Sequence, residues 1–198
     1  MKISHVVFGL IAGVALTAAQ AATTDTRQYG NAGPNTYFVD VDANKYSEPY
    51  YRFNSDGDWG WTHGAIAGSF SAATLNISAF DVDFSDGEID KIWALDSGTW
   101  TLLGSLAGNS DVWAFSTFNL GMNFFDDIAG GLQVKMDIDS NNTGWAVTLA
   151  KSSLSVDGGS LPPPIPSAVP EPETYAMMLA GLGLVGAIAR RRKASKSI

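Results

Sequence analysis

An all-β fold, an antiparallel β-sandwich, is what this sequence predicts, on three observations. Short apolar or alternating runs recur with turn residues between them, at 37–41, 50–53, 61–70, 74–84, 89–95, 100–103, 113–120, 132–138, 145–150 and 154–156. That cadence belongs to sandwiches. Leu132, Val134, Met136 and Ile138 alternate with Gln133, Lys135, Asp137 and Asp139, and a strict period of two means a strand with one buried and one wet face. Within the body only the stretch 124–129 reads as a short helical turn, where Asp126 and Asp127 break the alternation.

Taken in order, Lys2 and His5 precede an apolar run over 6–19, and Ala19 and Ala21 supply small residues at the positions a signal peptidase requires. This predicts a signal-peptide helix over 1–21, handed to the Sec translocon and cleaved before Ala22; a retained N-terminal membrane helix is the alternative. Residues 22–36 are polar and rich in Gly, Thr and Asn, and read as a flexible lead-in. The sandwich domain covers 37–158. The chain has no cysteine, so packing alone must stabilise it, and about 140 residues bury an adequate core for one domain.

Inside that domain the apolar phase shifts from Leu75, Ile77 and Ala79 to Phe80, Val82 and Phe84, which predicts a bulge near Ala79 or a strand crossing between sheets. Asp96, Ser97 and Gly98 should reverse the chain between 92–95 and 100–103, and 140–144 should do so between the strand ending at Ile138 and the one starting at Trp145. Gly158 and Gly159 close the domain. Residues 159–168, with Pro162, Pro163, Pro164 and Pro166, form a Pro-rich linker that reads as an extended spacer.

Beyond it, Val169, Pro170, Glu171 and Pro172 precede a charge-free run over 176–189 and then Arg190, Arg191, Arg192 and Lys193. The prolines fix φ and lack amide protons, which keeps their segment out of sheet and helix. The run has no polar face, predicting a single transmembrane helix over about 175–189; a buried helix of a globular domain is the alternative. About fifteen residues span roughly 22 Å against roughly 30 Å of hydrocarbon, a mismatch that snorkelling of Arg190 and local thinning can cover. The arginine cluster stays in the cytoplasm, with 194–198 as a cytoplasmic tail and everything before Tyr175 across the membrane.

The tripeptide Pro170-Glu171-Pro172, the apolar run and the arginine cluster, in that order and spacing over about 168–193, resemble a PEP-CTERM sorting signal. The resemblance implies that a membrane protease-transpeptidase, exosortase, recognises 169–193. The inner membrane would then be a transient anchor, facing the periplasm, before release or attachment at the cell surface or in an exopolysaccharide matrix. The stretches 79–83, 87–90 and 145–149 also resemble jelly-roll-like domains of other PEP-CTERM proteins. That implies a jelly-roll-like sandwich and brings no catalytic residue with it.

Net charge is −8, yet Lys2, Arg190, Arg191, Arg192, Lys193 and Lys196 all lie in the targeting ends, and without them the exported part is near −14. Such a surface repels nucleic acid and anionic lipid, so no nucleic-acid partner is expected. It suits divalent cations: Asp81 and Asp83 share a strand face, and Asp86, Glu88 and Asp90 follow around a turn, a set for which calcium is the natural ligand. A solvated acidic turn is the other reading, since the EF-hand pattern fails: Asp86 stands where glycine is needed and Ile92 where the bidentate glutamate belongs.

All six tryptophans lie in the body. Trp59 and Trp61, beside Asn54, Asp56, Asp58 and His63, form the candidate patch for stacking on sugars; filling the core is the alternative. Catalysis is not expected. His63 is the only histidine of the mature part and reads as a hydrogen-bonded strand residue, no G-x-S-x-G elbow occurs, and no thiol exists. The sequence therefore reads as an exported, non-catalytic surface or matrix protein acting structurally or by weak binding, with a carbohydrate- or calcium-binding module as the alternative.

Overall fold

A computed structural model describes residues 23–159 and 163–166. Among them nine strands form two antiparallel sheets. The strands are β1 (Thr23–Gln28), β2 (Arg52–Phe53), β3 (Trp59–Thr62), β4 (Ala73–Phe80), β5 (Lys91–Asp96), β6 (Thr99–Ser105), β7 (Trp113–Leu120), β8 (Gln133–Asp137) and β9 (Ala146–Val156), with one short helix, α1 (Phe125–Gly130). The first sheet runs β1-β9-β4-β7, with β2 added to β9; the second runs β3-β8-β5-β6.

Alternation decides which side chains meet. Leu75, Ile77 and Ala79 of β4, Phe118 and Leu120 of β7, and Leu149, Leu154 and Val156 of β9 point towards the second sheet. There they join Trp59 and Trp61 of β3, Ile92 and Ala94 of β5, and Val134 and Met136 of β8 in one apolar cluster. Each fully buried Leu or Ile contributes about 1.5–3 kcal/mol, and with no disulfide this cluster carries the fold. α1 falls where the alternation breaks, with Ile128 as its buried residue.

β5 and β6 form the hairpin that Asp96, Ser97 and Gly98 predict: Asp96 faces Thr99, and Ser97 (φ 47°) and Gly98 (φ 86°) both take the left-handed backbone of a two-residue turn. The phase shift in β4 corresponds to a register shift between Ser78 and Ala79 against β9.

Several expectations need correction. Residues 22–36 contain a strand: β1 pairs with β9 over its whole length. Its Thr24 and Thr26 hydroxyls hydrogen-bond Ser155 and Ser153 at 3.1 and 2.9 Å, so polarity there marks a hydroxyl ladder instead of a lead-in. The two runs 145–150 and 154–156 are one buried strand, β9, continuous through Lys151, Ser152 and Ser153. The 140–144 segment does not close a hairpin, because β8 lies in the second sheet and β9 in the first. In 61–70 the strand ends at Thr62, and 37–41 contributes Val39 N to Leu149 O (2.9 Å) and the buried Phe38 ring without forming a strand.

The predicted signal-peptide and transmembrane helices, and cleavage at Ala19, Ala21 and Ala22, lie outside the described residues. Among the described residues no helix is long and apolar enough to cross a membrane. The described part of the linker touches the body: the Ser78 hydroxyl donates to the Pro164 carbonyl.

Candidate functional site

The acidic set does not gather on one point. Asp81, at φ 61° just past β4, accepts from the Tyr51 hydroxyl and from Asp111 N, both at 2.8 Å. Asp86 ends an exposed 3-10 turn that Gly87 (φ 108°) closes. Asp139 is saturated by Thr143 Oγ1, Gly144 N and Trp145 N; burial pushes its carboxyl up, but those bonds outweigh it and hold it below the usual range. Among the described residues no three His, Asp or Glu side chains converge so as to hold a metal ion. The expected calcium loop of Asp81, Asp83, Asp86, Glu88 and Asp90 is thus not assembled, because Asp81 is taken up by Tyr51 and Asp111, Asp86 faces solvent, and Glu88 and Asp90 turn inwards.

Glu88 and Asp90 instead form a buried pair with no exposed surface. Glu88 Oε2 accepts from Asp83 N, and Asp90 Oδ1 from Asp139 N at 2.8 Å. Their other oxygens, Glu88 Oε1 and Asp90 Oδ2, have no hydrogen-bond partner, and the charge of each carboxyl bears on the other. Two buried carboxyls so placed are not both ionised, and one carries a proton. Burial first, then the charge of Asp90, pushes Glu88 up to about 9, so it holds that proton. Burial raises Asp90 to about 6.

A second constellation was invisible in the sequence. His63 Nδ1 lies 2.8 Å from Asp25 Oδ2, and Nε2 lies 2.9 Å from Ser152 Oγ. The carboxylate only accepts, so Nδ1 carries the imidazole proton, and Nε2 accepts from the serine hydroxyl. The order Asp-His-Ser is that of a hydrolase relay. Here Ser152 is fully buried and His63 is 1% exposed, so no acyl carbon reaches Oγ while the strands stay paired. Burial lowers the His63 pKa, keeping the ring neutral. The relay ties β1 and β9 of the first sheet to the end of β3 in the second.

Trp59 and Trp61 also need correction as a sugar-binding patch. They face Met136 and Val134 of β8, both core residues, so the parity of β3 turns the indoles inwards. Phe38 packs edge-on against them, with centroids at 5.0 and 5.2 Å, leaving them 7% and 4% exposed.

The outer face of the second sheet carries other tryptophans. Lys135 stands between Gly60 and Trp93 on neighbouring strands, Trp93 faces Leu102, and Leu95 faces Trp100. The Lys135 ammonium lies 5.7 Å from the Trp93 ring centroid and 4.7 Å from that of Trp100, so both indoles flank one cation. Trp100 and Leu102 are 37% and 47% exposed. Alongside is a depression of about 420 Å³ lined by Asp58, Thr62, Trp100, Gln133 and Lys135, and bordered by Trp59, Gly60, Trp61 and Val134. A Cβ at Gly60 would lie 2.6 Å from Val134 O and 3.2 Å from Lys135 Cβ, so β3 approaches β8 too closely there for any other residue. The sequence signal for this face was parity: Trp93 alternates with the inward Ile92 and Ala94.

The remaining assigned residues, Val169, Pro170, Glu171, Pro172 and the arginines 190–192, follow the described body. Residues 168–193 match the family model for the PEP-CTERM protein-sorting motif. The chain carries a PEP-CTERM sorting motif. In this PEP-CTERM chain the motif implies exosortase as the processing partner and export towards the cell envelope. No curated protein matches the chain. Among solved structures it is similar to the coat protein of Tobacco streak virus, with 15% identity over 75% of this chain and 94% of that one at a TM-score of 0.34. It is also similar to the xylan-binding module CBM15, with 13% identity over 72% of this chain and 100% of that one at a TM-score of 0.31.

Proposed function

We propose that this is an exported bacterial protein of the cell surface or extracellular matrix, processed by exosortase, whose β body acts structurally or by binding and not as a catalyst. The sorting motif carries this reading. A signal peptide ending at Ala21 would deliver the body to the periplasm, and the helix over about 175–189 would hold it at the inner membrane until the tail is processed. The body is a jelly roll: with the short β2 set aside, eight strands ordered β1-β9-β4-β7 and β3-β8-β5-β6 make two interlocked Greek keys. The buried Ser152 argues against hydrolysis. A carbohydrate-binding role is the second reading, favoured by the exposed indole face of β5 and β6.

The test is the intact mass of the protein recovered from medium and matrix, in cells with and without the sorting protease. Loss of 176–198 only when the protease is present is the expected result. An uncut tail in cells that contain the protease overturns the reading and leaves a membrane-tethered protein.

A further inference from the structure

We propose that the outer face of the β3-β8-β5-β6 sheet binds an uncharged polysaccharide, with Trp93 and Trp100 as the stacking platform and Asp58, Gln133 and Lys135 as hydroxyl partners. Two indoles flank one ammonium at 5.7 and 4.7 Å, and Trp100 is 37% exposed, with Leu102 beside it on the same strand 47% exposed. The indoles supply flat apolar surface, while the depression of about 420 Å³ beside them offers a carboxylate, an amide and an ammonium. A pyranose chain needs that mixture: C–H faces that stack on aromatic rings, and hydroxyls that both donate and accept.

Charge selects among occupants. Lys135 is the one cation lining the depression and Asp58 offsets it, while the chain carries −8 overall. A polyuronate, a nucleic acid or an anionic membrane would meet net repulsion, and a second copy would bring the same charge. A neutral polymer meets none. Gly60 keeps the depression open, because its missing side chain leaves the row Gly60-Lys135-Trp93 low at one end.

The experiment is native affinity electrophoresis of the full chain, purified in detergent, through gels containing soluble neutral polysaccharides (a β-glucan, a galactomannan, a dextran) or polygalacturonate. Retardation by at least one neutral polymer and not by polygalacturonate is expected. Trp100→Ala should weaken it about tenfold or more, Trp100→Phe should retain part of it, and Met122→Ala, at an 81% exposed side chain that does not line the depression, should leave it unchanged. Thermal melts of each variant separate lost binding from lost folding. Absence of retardation in every neutral gel, retardation by polygalacturonate, or full retention in a folded Trp100→Ala variant overturns the proposal. Binding is read on the uncut chain, so its failure and a failure of tail processing are separate results.

Discussion

Glu88 and Asp90 show how much a single proton can matter inside this body. As pH rises past 6.5, the ordinary value for His63, the histidine becomes neutral in the unfolded chain as it already is in the fold, and drops out of the balance. Between there and about pH 9, Glu88 is ionised in the unfolded chain and protonated in the fold. Folding then takes up a proton, and stability falls as pH rises, by at most about 1.4 kcal/mol per pH unit. Glu88→Gln, which keeps a neutral hydrogen-bonding group there, is expected to flatten that fall, as melting temperatures from pH 6.5 to 9 would reveal. His63→Ala leaves the Ser152 hydroxyl and the Asp25 carboxylate without their shared partner. Its expected cost is about 2–4 kcal/mol in urea unfolding, and an unchanged midpoint would remove the relay from the stability account. His63 was legible as a hydrogen-bonded residue, but its partners sit 38 and 89 positions away. The tryptophans were legible as a class and not by position: Trp59 and Trp61 have the polar neighbours of a surface patch, and only the register opposite Val134 and Met136 reveals that they point inwards.

At the level of elements, the strict alternation of Leu132 to Ile138 translated directly into β8, because a strand wet on one face writes its burial into every second residue. β9 could not be read that way. It lies between β1 and β4 in its sheet and is buried along its whole length, so Lys151, Ser152, Ser153 and Ser155 are buried and look in the sequence like a break. β1 was missed for a different reason: it is nowhere fully buried, and its hydroxyl ladder has loop-like composition. The close approach of β3 to β8 gives a sharp expectation. Gly60→Ala must push Val134 or Lys135 aside, costing about 1–3 kcal/mol, which a lowered melting temperature would register. No change would mean that the second sheet yields freely at that point.

For the molecule as a whole, the cadence of short runs was enough for two antiparallel sheets, and the tail was legible because a sorting motif is local: its order of Pro-Glu-Pro, apolar run and arginines needs no partner strand. Which strand lies beside which was not legible, since 140–144 crosses between sheets while looking like a hairpin turn. The two parts are expected to be separable. Glu171→Ala should abolish tail processing, seen as uncut intact mass, yet leave the thermal melt of the body unchanged, because the motif follows the last described strand in sequence.

The hydroxyl pairing of Thr24 with Ser155 spans 131 positions, and this sets an order of events. A chain delivered N-terminus first releases β1 at the start, but β1 has only β9 to pair with, and β9 emerges last of all the strands. The centre of the first sheet therefore stays unfilled until nearly the whole body has emerged, and pairings this distant in sequence are slow to form. When Val156 finally arrives, little more than a dozen residues separate it from Pro170. Under the proposed topology, completion of the fold and exposure of the tail to exosortase would fall in the same interval, and a chain held briefly at the membrane would gain time to close before it is let go.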